Sequence, residues 1–220
     1  MTSLNRMKKL LAWLLAVSAC ISMAACPAAA AETTPAEPSG IATLTAGGAA
    51  VDETTQWRYL DNNTDPAGDS AAEGYDRLSW TKAGYDDSSW KTAAGTFGAK
   101  NGGIANLGAG YTDVDFTPSV LLSQYINGAS GDDIPAFFFR TTFQVENASA
   151  VTKLLGELYY DDAAIVYING VKVAAFDEPN GGYASNLSYG GSNAGAPKLG
   201  EISVSDTSML VNGDNILAVE

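Results

Sequence analysis

The sequence predicts an all-β protein, built as a two-sheet antiparallel β-sandwich. The first indication is the apolar, alternating stretch 158–176, which has Asn169-Gly170 in its middle. A two-residue type I′ turn needs positive φ at both positions, which Asn and Gly tolerate best, so a hairpin is expected here. The second indication is the Phe-rich alternating stretch 136–145. The third is a series of short strands between turn residues, with no amphipathic helix after residue 31.

The stretch before the Asn-Gly turn is apolar on both faces. Such a strand is expected in the centre of a sandwich rather than at an exposed edge. Period-2 alternation assigns one face to Leu158, Tyr160, Ala164, Val166 and Ile168, and the other to Tyr159, Ala163, Ile165 and Tyr167.

The Phe-rich stretch divides in the same way. Phe137, Phe139, Phe143 and Val145 share one face, and Phe138, Arg140, Thr142 and Gln144 share the other. Residues 56–60 form another predicted strand. We expect Trp57, Trp80 and Trp90 to be core or anchoring residues. The stretch 120–125 fits a short helix or a strand equally well.

Two long stretches are rich in Gly and other turn residues. They span residues 92–115 and 179–197, and the first is predicted to be mostly irregular. A loop this long in a compact domain is usually functional or mobile.

Composition limits the classes of partner. Charged residues make up 17% of the 220 residues and hydrophobic residues 46%, which is typical of a globular chain. Residues 1–31 contain three of the 12 Lys and Arg residues and no acid, so their removal would leave 9 basic and 25 acidic side chains, a net charge of −16. Nucleic acids and anionic membranes are therefore poor partners, whereas calcium or a neutral ligand is compatible.

The chain contains no His, and its two cysteines are Cys20 and Cys26. Ser-His-Asp and Cys-His catalysis are thus excluded for this sequence, as are metal sites that use His. Both cysteines lie in the predicted export segment, so the folded part is expected to have neither a disulfide nor a thiolate nucleophile.

Three segments are predicted along the chain. Residues 1–31 have the basic, apolar and small-residue order of a signal peptide, with cleavage expected near Ala31 and no membrane span afterwards. The alternative is a lipid-anchored protein modified at Cys20 or Cys26. Residues 32–50 are expected to be a disordered linker. Residues 51–220 form the β-sandwich module, and the protein is expected to be secreted.

Four segments in this order resemble the galactose-binding-domain-like jelly roll. They are YDDSSW at 85–90, FRTTF at 139–143, YDDAAIVYING at 160–170 and GDNILAVE at 213–220. The set is similar to the sugar-binding domain of family 2 glycoside hydrolases, and still more to modules preceding calcineurin-like metallophosphoesterase domains in secreted bacterial proteins. The resemblance implies a jelly-roll fold and a non-catalytic accessory role, but it assigns no ligand residues.

Calcium is one ligand compatible with the acidic loops. Calcium takes several oxygen ligands from loops, and jelly rolls of this kind often hold a structural calcium. The candidate ligands are Asp61, Asp65, Asp113 and Asp115, without EF-hand spacing. The alternative is turn chemistry and solvated surface. The paired acids at 86–87, 132–133 and 161–162 also suggest the two carboxylates of glycoside hydrolysis. Against this, adjacent carboxylates on a strand point to opposite faces.

Loop aromatics suggest a carbohydrate ligand. Tyr111, Tyr183 and Tyr189 could stack against sugar rings, or could fold back as lids over the sandwich. Two functions therefore stay open. One is a structural or interaction module of a larger exported hydrolase, and the other is a carbohydrate-binding module. Because 216–220 begins a strand with no closing turn, we expect the gene to continue into a C-terminal catalytic domain that supplies the missing histidines.

Overall fold

A computed structural model describes residues 43–44, 51–52, 54–99, 118–128, 130–190 and 197–220. Within these ranges the regular structure is β-strand, together with single 3-10 turns at Ser79–Thr81 and Ala148–Ala150. The predicted all-β class is confirmed. The strands are β1 (Thr43–Leu44), β2 (Gln56–Leu60), β3 (Lys91–Ala94), β4 (Phe97–Gly98), β5 (Val120–Leu121), β6 (Phe138–Val145), β7 (Leu154–Tyr160), β8 (Ala164–Ile168), β9 (Val171–Phe176), β10 (Lys198–Val204) and β11 (Gly213–Val219).

The larger layer of the sandwich is a seven-stranded sheet. Six of its strands follow the order β3-β2-β6-β11-β8-β9, and β1 is the seventh. All neighbours in this order are antiparallel, and β1 pairs in parallel with the end of β6. Strands β6, β11 and β8 are central and mostly buried, as their two apolar faces require.

The second layer contains the antiparallel pair β7-β10 and the short parallel pair β4-β5. The main core lies between the layers. Phe139, Phe143 and Val145 of β6 pack there with Leu158 of β7 and Ile202 of β10. The two-sheet sandwich predicted from sequence is therefore present.

The predicted hairpin turn is confirmed, but the single strand predicted before the turn is wrong. Asn169, with φ of 48°, and Gly170, with φ of 86°, join β8 to β9. The apolar stretch preceding them is two strands rather than one, because the chain leaves β7 after Tyr160 and enters the other layer at Ala164. Alternation still holds across the break, since Leu158, Tyr160 and Val166 share one core cluster and Ile165 and Tyr167 share the other.

The outer face of the large sheet is covered by loops. We use "loop cover" for residues 61–90 together with 183–190. Trp80 and Trp90 of this cover pack with Phe138 of β6 and Tyr167 of β8 in a second core cluster. Both Trp rings are buried, and Trp57 lies in the main core, so the predicted core or anchoring roles of the three tryptophans are confirmed.

Three local predictions need correction or completion. Within the stretch predicted as a linker, Thr43–Leu44 form a short strand that pairs in parallel with the end of β6. The stretch 92–115 is less irregular than predicted over its described part, since Lys91–Ala94 pair with β2 and Phe97–Gly98 pair with β5. The ambiguous stretch 120–125 starts as a strand and contains no helix.

Across the described part of the chain, no helix combines the length and hydropathy needed to cross a membrane. The predicted signal peptide and both cysteines lie outside the described residues.

Candidate functional site

Tyr189 is the most solvent-exposed of the large apolar side chains in the described residues, at 59%. Its hydroxyl donates to the backbone carbonyl of Asp133, 2.7 Å away. Beside this contact, Gln124 Nε2 donates to Asp133 Oδ1 across 3.2 Å. An exposed aromatic ring that is held by its hydroxyl has the features of a surface for stacking a ligand.

Tyr183, the second predicted ligand residue, belongs to the loop cover. The Arg77 guanidinium lies 5.9 Å from the centre of its ring, and its hydroxyl donates to the Gly190 carbonyl at 3.3 Å. Burial raises the pKa of Tyr183, and the nearby Glu220 carboxylate acts in the same direction. Tyr183 thus folds back on the sandwich, apart from the exposed ring of Tyr189. Tyr111 lies outside the described residues.

Asp61 is buried and engaged by donors of the fold. Its Oδ1 lies 2.7 Å from Lys91 Nζ, and its Oδ2 accepts hydrogen bonds from Lys91 Nζ and the Ser123 backbone N–H. The Lys91 ammonium thus contacts both oxygens of the carboxylate, and Oδ1 is the nearer of the two. This carboxylate joins β3 to the segment after β5.

Asp65 is engaged by a different set of donors. Its Oδ1 accepts from Ala67 N–H and Asn186 Nδ2, and its Oδ2 accepts from the Tyr75 hydroxyl at 2.7 Å. Burial raises the pKa of Tyr75 to about 12, with Asp65 as the next cause. Asp61 and Asp65 therefore serve separate parts of the structure.

The other two predicted calcium ligands, Asp113 and Asp115, lie outside the described residues. Among the residues that are described, no three His, Cys, Asp or Glu side chains come together as a metal site would require. The calcium site stays a prediction, and any such site would depend on residues beyond Asp61 and Asp65.

Arg140 is a structural residue whose role the sequence did not reveal. It is 3% exposed although it shares its face of β6 with Thr142 and Gln144. Its Nε donates to Asp87 Oδ2 at 2.8 Å, its Nη1 donates to the carbonyls of Trp80 and Lys82, and its guanidinium lies over the Tyr85 ring. The signal available in the sequence was an Arg inside a Phe-rich strand, since such a charge needs a buried partner.

Glu220 and Arg77 form a second, partly buried ion pair. Arg77 Nη2 donates to both Glu220 carboxylate oxygens, at 2.6 and 2.7 Å, while Arg77 Nη1 donates to the Tyr167 hydroxyl at 3.3 Å. Burial raises the pKa of Glu220 to about 7, against the opposing effect of Arg77. The sequence offered no signal for a pair 143 residues apart.

A third polar network locks the Asn169 turn onto the sheet. Asn169 Nδ2 donates to Met209 O and Asn215 Oδ1, and its Oδ1 accepts from Ile216 N–H. Asn215 is fully buried and also bonds the backbone of Val211. Like the two ion pairs, this network holds elements of the fold together.

Comparison with known proteins assigns no family. No protein-family model matches the chain, and no curated protein matches it. Among solved structures, the chain is similar to a glycosyl hydrolase family 2 member from Bacteroides cellulosilyticus DSM 14838, with 19% sequence identity and a TM-score of 0.33. The similarity covers 74% of this chain and 16% of the hydrolase chain. A likeness this partial carries no argument about activity.

Proposed function

We propose that this chain is a non-catalytic accessory module of a larger exported protein, with a structural or interaction role. The observation that supports this proposal is the use of its buried and partly buried charges. Asp61, Asp87, Arg140 and the Arg77–Glu220 pair all form ion pairs within the fold. A catalytic site instead needs a nucleophile or an acid-base pair directed at open space.

The ion pairs support a scaffold because they attach loops to a sheet. Arg140 and Glu220 lie on or next to the central strands β6 and β11, and their partners Asp87 and Arg77 lie in the loop cover. A module of this kind presents a fixed surface to a neighbouring domain. Its partner is proposed to be a C-terminal hydrolase domain, with a metallophosphoesterase first and a glycoside hydrolase second, as the sequence resemblance implies.

The proposal is tested with the native gene. The reading frame after Glu220 is sequenced, and the full-length protein is compared with a form lacking residues 51–220. Hydrolase activity in the full-length protein, and none in the isolated chain, is the expected result. Phosphatase or glycosidase activity in the isolated chain would contradict the non-catalytic assignment.

Carbohydrate binding is the second candidate function, and the exposed ring of Tyr189 favours it. Sugar rings stack their C–H faces on aromatic surfaces, and the hydroxyl bond to the Asp133 carbonyl holds the Tyr189 ring in place. The ligand would be a neutral glycan, because the acidic surface repels anionic ones.

A glycan array tests this second candidate with two variants at one position. Tyr189→Ala removes the ring and is expected to weaken binding about tenfold or more, whereas Tyr189→Phe keeps the ring and loses only the hydroxyl bond to Asp133. Thermal unfolding of both variants controls for stability. Binding unaffected by Tyr189→Ala, or no glycan bound by the parent chain, would remove Tyr189 from this role.

A further inference from the structure

Five Asn-Gly pairs occur in the sequence, and the structure places four of them in different environments. Asn-Gly is the dipeptide most prone to deamidation, because glycine has no side chain to hinder attack by its own nitrogen, and Asn is a thermolabile residue. Asn101 of the fifth pair lies outside the described residues. The other four are Asn127, Asn169, Asn180 and Asn212.

Asn180-Gly181 has the geometry most open to reaction. Both residues are exposed, and the Asn180 carboxamide makes no hydrogen bond to the described residues. The surrounding turn is closed by Gly182 N–H, which donates to the Pro179 carbonyl at 2.9 Å, so the Gly181 nitrogen is left out of that bond. The Gly181 φ is +95°, and a Cβ built there would meet nothing within 4 Å.

Asn169-Gly170 is the opposite case. All three hydrogen bonds of its carboxamide go to Met209, Asn215 and Ile216, as described above. Its side-chain carbon can reach the Gly170 nitrogen only after these bonds open and the turn distorts. Reaction at Asn169 therefore requires a local unfolding step.

The two remaining pairs fall between these extremes. Asn212 is exposed, but its Oδ1 accepts a hydrogen bond from Ala148 N–H at 2.8 Å. Asn127 is exposed, but the N–H of Gly128 donates to the Tyr125 carbonyl at 3.2 Å. One identical dipeptide thus occurs with a fully bonded carboxamide, with a single hydrogen bond on one reacting group, or with neither reacting group bonded.

We propose that Asn180 is a site of self-catalysed deamidation, which adds a carboxylate to the loop that also carries Tyr183 and Tyr189. The Gly181 nitrogen attacks Asn180 Cγ, the new N–Cγ bond replaces the Cγ–Nδ2 bond, and ammonia leaves with the proton of the glycine N–H. Water then opens the resulting succinimide to Asp or isoaspartate. The loop already carries Asp177 and Glu178, so the modification concentrates negative charge there. This proposal is independent of the proposed function.

The test is a time course on the purified protein at mildly alkaline pH, followed by peptide mass spectrometry and isoaspartate detection. Asn180 is expected to convert at least about tenfold faster than Asn169, since the three net hydrogen bonds of the Asn169 carboxamide together reduce its open population by more than that factor. Asn212 and Asn127 are expected between them. In urea, where the turn environments are lost, the rates are expected to converge.

A variant isolates the site. Asn180→Gln keeps a carboxamide but disfavours ring closure, and it is expected to remove the first acidic species seen by isoelectric focusing. Equal rates at Asn180 and Asn169 in the folded protein would overturn the proposal. So would an Asn180 that stays intact in the folded protein while converting in urea.

Discussion

Arg140 of β6 and Asp87 of the loop cover are joined by a 2.8 Å hydrogen bond from Nε to Oδ2, which links a central strand to the loops packed on it. Arg58 of the neighbouring strand β2 reaches the other oxygen of the same carboxylate at 3.3 Å. Asp87 therefore balances a buried guanidinium and a half-exposed one, and it ties two strands to one turn.

Removal of the Asp87 carboxylate should destabilise the protein strongly. Asp87→Ala leaves the buried Arg140 without its counter-charge, and breaking a buried pair in this way costs about 3 kcal/mol. Denaturant unfolding measures the loss. The matched control is Asp86→Ala, because the exposed Asp86 only caps Ser88 N–H and should change the midpoint far less. Equal effects of the two variants would show that the Asp87–Arg140 pair adds nothing.

Glu220 should make stability depend on pH. Its folded pKa of about 7 is above the ordinary value of 4.5, so the folded state holds a proton that the unfolded state has released between these values. The contribution of Glu220 to stability is therefore fully present below about pH 4.5 and is lost as the pH rises through about 7, by roughly 3 kcal/mol in total. Asp52 and Asp76 have lowered pKa values and act at more acidic pH, in the opposite sense.

The comparison that isolates Glu220 uses Glu220→Gln, a neutral side chain of the same shape. The difference in unfolding free energy between the parent chain and this variant should change steadily across that pH interval. A difference that is flat with pH would mean that the Glu220 carboxyl titrates at its ordinary value.

Two substitutions of Asn169 should separate the effect of backbone strain on stability from the effect of lost hydrogen bonds. Asn169→Ala and Asn169→Gly both remove three side-chain hydrogen bonds, at about 1 kcal/mol each. Alanine also meets a strained backbone at φ of 48°, so it should be less stable than glycine by about 1 kcal/mol. Thermal unfolding of the pair checks the order, and an alanine variant as stable as the glycine variant would contradict the role of the positive φ.

Calcium binding can be tested directly. If Asp113 and Asp115 hold calcium, added calcium should raise the Tm and chelator should lower it, because a ligand bound only by the folded state stabilises that state. The double variant Asp113→Asn, Asp115→Asn should lose this response. A response retained by the double variant would place the metal elsewhere, and no response in the parent chain would assign these acids to the surface.

The sequence determined the properties that depend on neighbouring residues. Asn169-Gly170 predicted a hairpin turn because positive φ is a local preference, and period-2 alternation predicted which face each apolar side chain would take. Phe139 and Phe143 lie in the main core and Phe138 in the second cluster, as that alternation requires. The all-β class followed from the same local patterns.

Tertiary structure alone decided which strands share a layer and which charges pair. Around residues 161–162 the chain passes from one sheet to the other. The alternation of apolar side chains continues unbroken through this passage, so the sequence pattern could not reveal it. Asp87 and Arg140 are 53 residues apart, and Arg77 and Glu220 are 143 apart. Their pairing is driven by the cost of leaving a charge buried and unpaired, and that cost exists only once the loop cover has packed on the sheet.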